Sequence, residues 1–221
     1  MNAFKRITQA VIPVAVAAVA TVVTAPVAAE PATQVMTVVP VGPNGQPING
    51  YQEAPSPGNV TFASECTTAS LSAVANDIYS CSPSAAGADP CWASTPESLL
   101  CLDDPWNKQL HRVAYDGPLP PVQAPAISDP VGLLLDDGTR CRLRNGGAWG
   151  GRDDGYVGVY GCGGANAVLW LPSQGPGTCV DRSSPAWTVK IGQLGTPTEH
   201  FPPPQTHTVT TAWFAGSSPP A

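Results

Sequence analysis

Seven cysteines constrain this chain more than any other feature. They stand at Cys66, Cys81, Cys91, Cys101, Cys141, Cys162 and Cys179, separated by 15, 10, 10, 40, 21 and 17 residues. None of these gaps is the three-residue step of a C-x-x-C zinc knuckle, so the set is read as a disulfide framework and not as metal ligands. All seven are candidates for bridging, and spacing alone does not fix who pairs with whom. The odd number leaves one thiol over. It is either buried or available for a covalent dimer.

A disulfide framework needs an oxidising compartment, and the first residues supply a route to one. Lys5 and Arg6 form a positive start, and Val11 to Val23 is apolar apart from Thr21. Ala25-Pro26-Val27-Ala28-Ala29 then places small residues at a cleavage point before Glu30. This is the layout of a secretory signal over residues 1–29, and its apolar stretch is shorter than the roughly 20 residues of a spanning helix. Loss of Lys5 and Arg6 with the leader takes the formal charge from −6 to −8. An acidic chain does not suit nucleic acid or an anionic membrane surface. The expected location is secreted, extracellular or in the cell envelope, with no membrane span in the mature chain.

Residues 30–62 are rich in Pro, Gly, Thr and Gln, and their apolar stretch is broken by Thr37 and Pro40. They are expected to form a disordered arm. Residues 63–115 carry four cysteines and little else to build a core. Leu71, Val74, Ala75 and Ile78 share a face at helical spacing, and Thr95-Pro96 is a helix start ahead of Ser98-Leu99-Leu100-Cys101. This part should be loop-rich, stapled by disulfides, with one or two short helices. Residues 116–130 contain five prolines and form an extended connector.

From 131 to 215 the pattern changes to strands, and 216–221 is a flexible tail. Leu133-Leu134-Leu135 meets Arg140-Cys141-Arg142-Leu143-Arg144 through Asp136-Asp137-Gly138-Thr139, a hairpin signal. Tyr156 to Cys162 and Ala167 to Leu171 form a second candidate hairpin. Trp187 to Ile191 and Thr208 to Phe214 alternate again. The fold class is therefore mainly β: a small antiparallel sandwich or barrel behind the disulfide-stapled segment. A bridge between Cys141 and Cys162 would tie the two hairpins together.

Catalytic signatures are missing from the sequence. His111, His200 and His207 stand in no nucleophile motif, and neither G-x-S-x-G nor H-E-x-x-H occurs. Asp103-Asp104, Asp136-Asp137 and Asp153-Asp154 are adjacent pairs. Neighbours on a strand face opposite ways, so such pairs are turns before they are acid/base couples. No cofactor and no metal site is implied.

Two features point to a ligand. Arg140, Arg142 and Arg144 alternate and so share one face of their strand, with Cys141 and Leu143 on the other. With a two-residue turn, Arg142 would stand opposite Leu133. The plain account has the arginine stems covering leucines while the charges stay wet. The functional account is a positive stripe for a carboxylate or phosphate. Next comes Asn145-Gly146-Gly147-Ala148-Trp149-Gly150-Gly151-Arg152-Asp153-Asp154-Gly155. Trp149 either plugs one end of the β core or offers its indole face to a sugar, with Arg142, Arg144, Asn145, Arg152, Asp153 and Asp154 around it. Asn59-Val60-Thr61 also matches an N-glycosylation sequon.

The Ala/Val-rich leader, the Pro/Gly-rich start, the run Asp137 to Trp149 and the later Trp187-Thr188-Val189 resemble uncharacterised exported proteins of actinobacterial type. The resemblance covers the C-terminal half and implies an envelope or extracellular setting without a known activity. The expected function is a secreted or envelope-associated binding or structural protein, with cell-wall glycan or another envelope protein as partner. The alternative is a secreted hydrolase using carboxylates of the 144–155 loop.

Overall fold

The computed structural model describes residues 30–54, 61–82, 87–95, 97–144, 147, 149–174 and 179–218. The expected leader, Asn59 and Val60 of the sequon, Pro96 and residues 219–221 of the expected tail lie outside the described residues. Strands of the N-terminal half are β1 (Gln34–Val38), β2 (Gln52–Glu53), β3 (Phe62–Ala63), β4 (Glu65–Ala69), β5 (Ile78–Ser82), β6 (Cys91–Ala93), β7 (Ser98–Asp104) and β8 (Gln109–Tyr115). The C-terminal half adds β9 (Gly132–Leu135), β10 (Arg140–Leu143), β11 (Val157–Gly161), β12 (Asn166–Trp170), β13 (Val180–Asp181), β14 (Thr188–Gln193) and β15 (Gln205–Ala215).

Of the sandwich or barrel expected, the structure forms the barrel. Neighbours run β15–β9–β10–β11–β12–β14, all antiparallel, and β14 pairs with β15 to close the six strands on themselves. Closure leaves no free edge within the ring. Leu133, Cys141, Leu143, Tyr160, Val168 and Val209 fill the interior. Each fully buried apolar side chain contributes about 1.5–3 kcal/mol relative to exposure. The β9–β10 turn is wider than a two-residue hairpin. Leu135 N–H bonds to Thr139 O, and Gly138 adopts φ +83°. This three-residue loop, with glycine in the left-handed position, shifts the register. Arg142 therefore faces Gly132 rather than Leu133, and Arg140 faces Leu134.

A second sheet runs β2–β8–β7–β6–β5–β4, with β3 also against β8. Here the sequence misleads, because both expected helices are absent. Ser98–Asp104 is a strand, and residues 70–77 are the loop of the β4–β5 hairpin. Cys66–Cys81 bridges that hairpin and Cys91–Cys101 joins directly opposed residues of β6 and β7. Inside the loop, Ser70 Oγ and Ser72 Oγ hydrogen-bond at 2.9 Å, and Ser72 N–H donates to Ser70 Oγ. Such local serine bonds compete with a helix. The only helical turn among the described residues is a 3-10 turn at Pro172–Gln174.

The arm expected over residues 30–62 is also corrected for its described residues, 30–54 and 61–62, which are built into the fold. The long β15 has an edge that β9 does not use, and Gln34–Val38 lies parallel along it. Val38, Val41 and Tyr51 are buried. The two sheets share a seam in which Val131 and Ala215 pack with Trp92, Leu100, Leu102 and Leu110. Trp92 Nε1–H donates across it to Gly216 O at 2.9 Å. The connector at 116–130 forms no strand, yet Val122 is buried and its N–H bonds to Asp77 Oδ1 at 3.1 Å. Among the described residues no helix is long and apolar enough to cross a membrane.

Candidate functional site

Cys141 in β10 and Cys162, directly after β11, form the third disulfide. It ties the two hairpins as their positions suggested. Cys179 is the free thiol. Burial, and then Asp129 nearby, push its pKa up to about 12.

Of the residues singled out around Trp149, Arg144 meets its ring, while Arg152, Asp153 and Asp154 form contacts of their own that hold structure. Arg142 is a correction. It stands opposite Gly132, and its side chain enters the seam, where Pro105 and Trp106 close over that glycine. The guanidinium donates to the carbonyls of Asp89 and Leu102, both at 2.7 Å, to Leu143 O at 2.8 Å and to Asp103 O. Desolvation lowers its pKa, against nearby Asp89, Asp103 and Asp104. It serves the seam, not a ligand. Arg144 places its guanidinium 4.3 Å from the centre of the Trp149 ring. Gly158 lies against the same indole, and a Cβ there would overlap Cε3. Trp149 is half-buried between them. Asn145 lies outside the described residues.

Arg152 is buried. It pairs with Asp154 at 2.7 Å, donates to Gln193 O and Pro202 O, and lies 5.3 Å from the Phe201 ring centre. The hydrogen bond from Arg152 holds Asp154 below its ordinary carboxylate pKa. Asp153 accepts or shares a proton with His200 Nδ1 at 2.9 Å. Gly151 and Gly195 exchange backbone bonds at 2.8 and 3.0 Å. The 149–155 loop and the β14–β15 loop thus clasp each other. Asp154 and Asp153 of the first loop are engaged with Arg152 and His200, and Glu199 of the second accepts from Thr196 N–H at 3.1 Å.

Two hollows flank the β14–β15 ribbon, and alternation assigns residues between them. The first is a groove of about 410 Å³, lined by Tyr156, Trp170, Asp181, Thr188, Lys190 and Thr206, with Cys179 also on its wall. Lys190 Nζ lies 3.2 Å from Tyr156 Oη and 5.6 Å from that ring's centre. The groove joins two aromatic side chains to a carboxylate, an ammonium and two hydroxyls. Sequence reasoning missed it, since its parts come from β12, β13, β14, β15 and the segment before β11. The strict alternation at Lys190, opposite in face to Val189, was the one local clue.

The second hollow is a cleft of about 390 Å³ at the barrel mouth. On β14 the core-facing series Val189, Ile191 ends in Gln193, and on β15 Val209 is continued by His207 and Gln205. Asp137 and Thr139 come from the β9–β10 turn, and Phe201 and Pro202 wall one side. His207 Nδ1 lies 3.0 Å from Asp136 Oδ1 and 3.6 Å from Asp137 Oδ2. Desolvation raises the Asp136 pKa, but hydrogen bonds from His207 and Thr208 N–H outweigh it and hold the carboxyl below its ordinary value. Asp136, Asp137 and His207 are the described residues whose side chains could together ligate a metal, their ligand atoms lying within 4.8 Å of one another.

No family model, no curated protein and no solved structure matches this chain.

Proposed function

We propose that this is a non-catalytic binding protein of an oxidising, extracytoplasmic compartment, and that its ligand is a glycan held in the Tyr156–Trp170 groove. One observation carries the reading. The groove sets two aromatic side chains beside Asp181, Lys190, Thr188 and Thr206, within a volume that accommodates a sugar ring. Ring C–H faces stack on aromatics while carboxylate, ammonium and hydroxyl groups fix the sugar hydroxyls. Three disulfides favour export. The leader over residues 1–29 supplies the route.

The binding reading is preferred to hydrolysis because the loop carboxylates are already committed. Asp154 is pinned by Arg152 and Asp153 by His200. A glycosidase needs two carboxyl groups facing each other across the bond. Relative to the sequence-based expectation, the glycan moves from Trp149 to Trp170, since Arg144 and Gly158 occupy the Trp149 ring. The test is a titration of the mature protein with soluble cell-wall oligosaccharides, followed by tryptophan fluorescence and calorimetry. Saturable binding lost in Trp170→Ala supports the reading. Binding that survives in a folded Trp170→Ala protein overturns the site, and turnover of the oligosaccharide overturns the non-catalytic claim.

A further inference from the structure

The barrel-mouth cleft is a separate place from the groove just described, and its chemistry is different. Gln193 and Gln205 stand where the core-facing stripes of β14 and β15 reach the mouth, and Asn166 opens β12 beside them. Among the described residues these three carboxamides make no hydrogen bond within the chain. Each offers one acceptor and two donors at the rim of a 390 Å³ cleft. With Nδ1 of His207 facing Asp136, Nε2 is the ring atom left for a ligand.

The charge at the mouth is negative in sum. Asp137 lines it, and Asp136 stands behind the lining residue His207, 3.0 Å from its Nδ1. The cation in the lining is Arg152, and Asp154 neutralises it at 2.7 Å. Lys190 alternates to the opposite face of β14 and lies in the groove with Tyr156. Even with His207 protonated, the two aspartates leave one net negative charge at the rim. A neutral sugar would gain nothing from that charge, and an anion would be repelled.

We propose that the barrel mouth is a second binding site, and that it takes a small organic ammonium ion whose neighbouring amide or hydroxyl groups engage Asn166, Gln193 and Gln205. The ammonium donates to Asp137 and to carboxamide oxygens, and the attached aliphatic chain lies along Phe201 and Pro202. This assignment does not depend on the glycan reading, because it uses other residues and another probe.

The experiment is an NMR titration of the full mature protein with Nα-acetyl-lysine amide, beside its Nε-acetylated form, which keeps the same aliphatic chain and has no charge. The expected result is that the ammonium probe moves the side-chain amide resonances of Asn166, Gln193 and Gln205 and the neutral one does not. Asp137→Asn keeps the acceptor for Thr139 N–H, so the turn is preserved while the charge goes. That variant should bind about fivefold more weakly, and added salt should have the same direction of effect. Lys190→Ala, in the other groove, should bind the probe as the wild type does. Equal response to both probes, no response at the three carboxamides, or full affinity in Asp137→Asn would overturn the proposal.

Discussion

The Arg142 guanidinium donates to the main-chain carbonyl of Leu102 at 2.7 Å, linking barrel strand β10 to strand β7 of the other sheet. The same group serves Asp89 O at 2.7 Å and Asp103 O. A single desolvated guanidinium thus serves two carbonyls of β7 and one of the turn before β6 from the barrel. Replacing it leaves those acceptors without their donor in the interior.

Arg142→Met is therefore expected to lower stability by about 3–5 kcal/mol, read from urea midpoints with the slope unchanged. Arg142→Lys should recover only part of this, since an ammonium cannot span the same acceptors as a planar fork. A loss below about 1 kcal/mol in the methionine variant would remove Arg142 from its place as the clasp.

The Cys141–Cys162 bridge closes a loop of 21 residues between the two barrel hairpins. The double variant Cys141→Ala/Cys162→Ala should lose about 3 kcal/mol, most of it through a freer unfolded chain. Thermal unfolding of the double variant beside the parent measures this directly.

Cys179 carries a pH signature. Burial raises its thiol pKa to about 12 in the folded state. The native protein then holds the proton more tightly than the unfolded chain, whose thiol titrates near pH 8.5. Stability contributed by this group is present below that pH and is lost as pH rises toward 12. Cys179→Ala should flatten the decline between about pH 9 and pH 11. At neutral pH the thiolate is scarce, so the folded protein should react slowly with a thiol reagent and run as a monomer on a non-reducing gel. Rapid labelling or a disulfide-linked dimer would contradict this.

Acid should act through other groups. Asp154 is held below its ordinary pKa by the hydrogen bond from Arg152, and Asp137 by the backbone hydrogen bond from Thr139. Their contributions are complete above the usual carboxylate range near pH 4 and fade as pH falls through the depressed values. Both groups are largely exposed, so the effect should be small. Asp154→Asn should narrow the difference in urea midpoint between pH 6 and about pH 3.

The strands of the barrel were legible because alternation is a two-residue signal, and Cys141 and Leu143 fall on the buried face it assigns opposite the arginines, whereas Leu133, expected opposite Arg142, packs in the core opposite Cys141. The Cys141–Cys162 pair followed from placing its two strands side by side. The helices expected at Leu71–Ile78 and Ser98–Cys101 were not, because four apolar residues match a helical face by accident when disulfides and serine bonds decide the conformation locally. The arm failed for a related reason. Gln34–Val38 has no reason of its own to be ordered and is fixed by the open edge of β15, some 170 residues later. Register was the subtlest loss. One extra turn residue put Gly132 instead of Leu133 opposite Arg142, and the second sheet, which no local pattern announces, covers the face on which Arg142 stands. The Tyr156–Trp170 groove was out of reach, since no stretch of sequence contains it.

Co-sedimentation of the mature protein with purified cell-wall material tests the central claim most directly, comparing wild type, Trp170→Ala and Trp149→Ala, each checked by near-UV circular dichroism. Trp149→Ala should lose about 1–3 kcal/mol of stability yet still pellet while folded, because its indole is taken up by Arg144 and Gly158. Trp170→Ala should stay folded and leave the pellet, its affinity reduced about tenfold. If Trp170→Ala pellets as wild type does, or if the wild type itself stays in solution, the groove is not a glycan site and the account is contradicted.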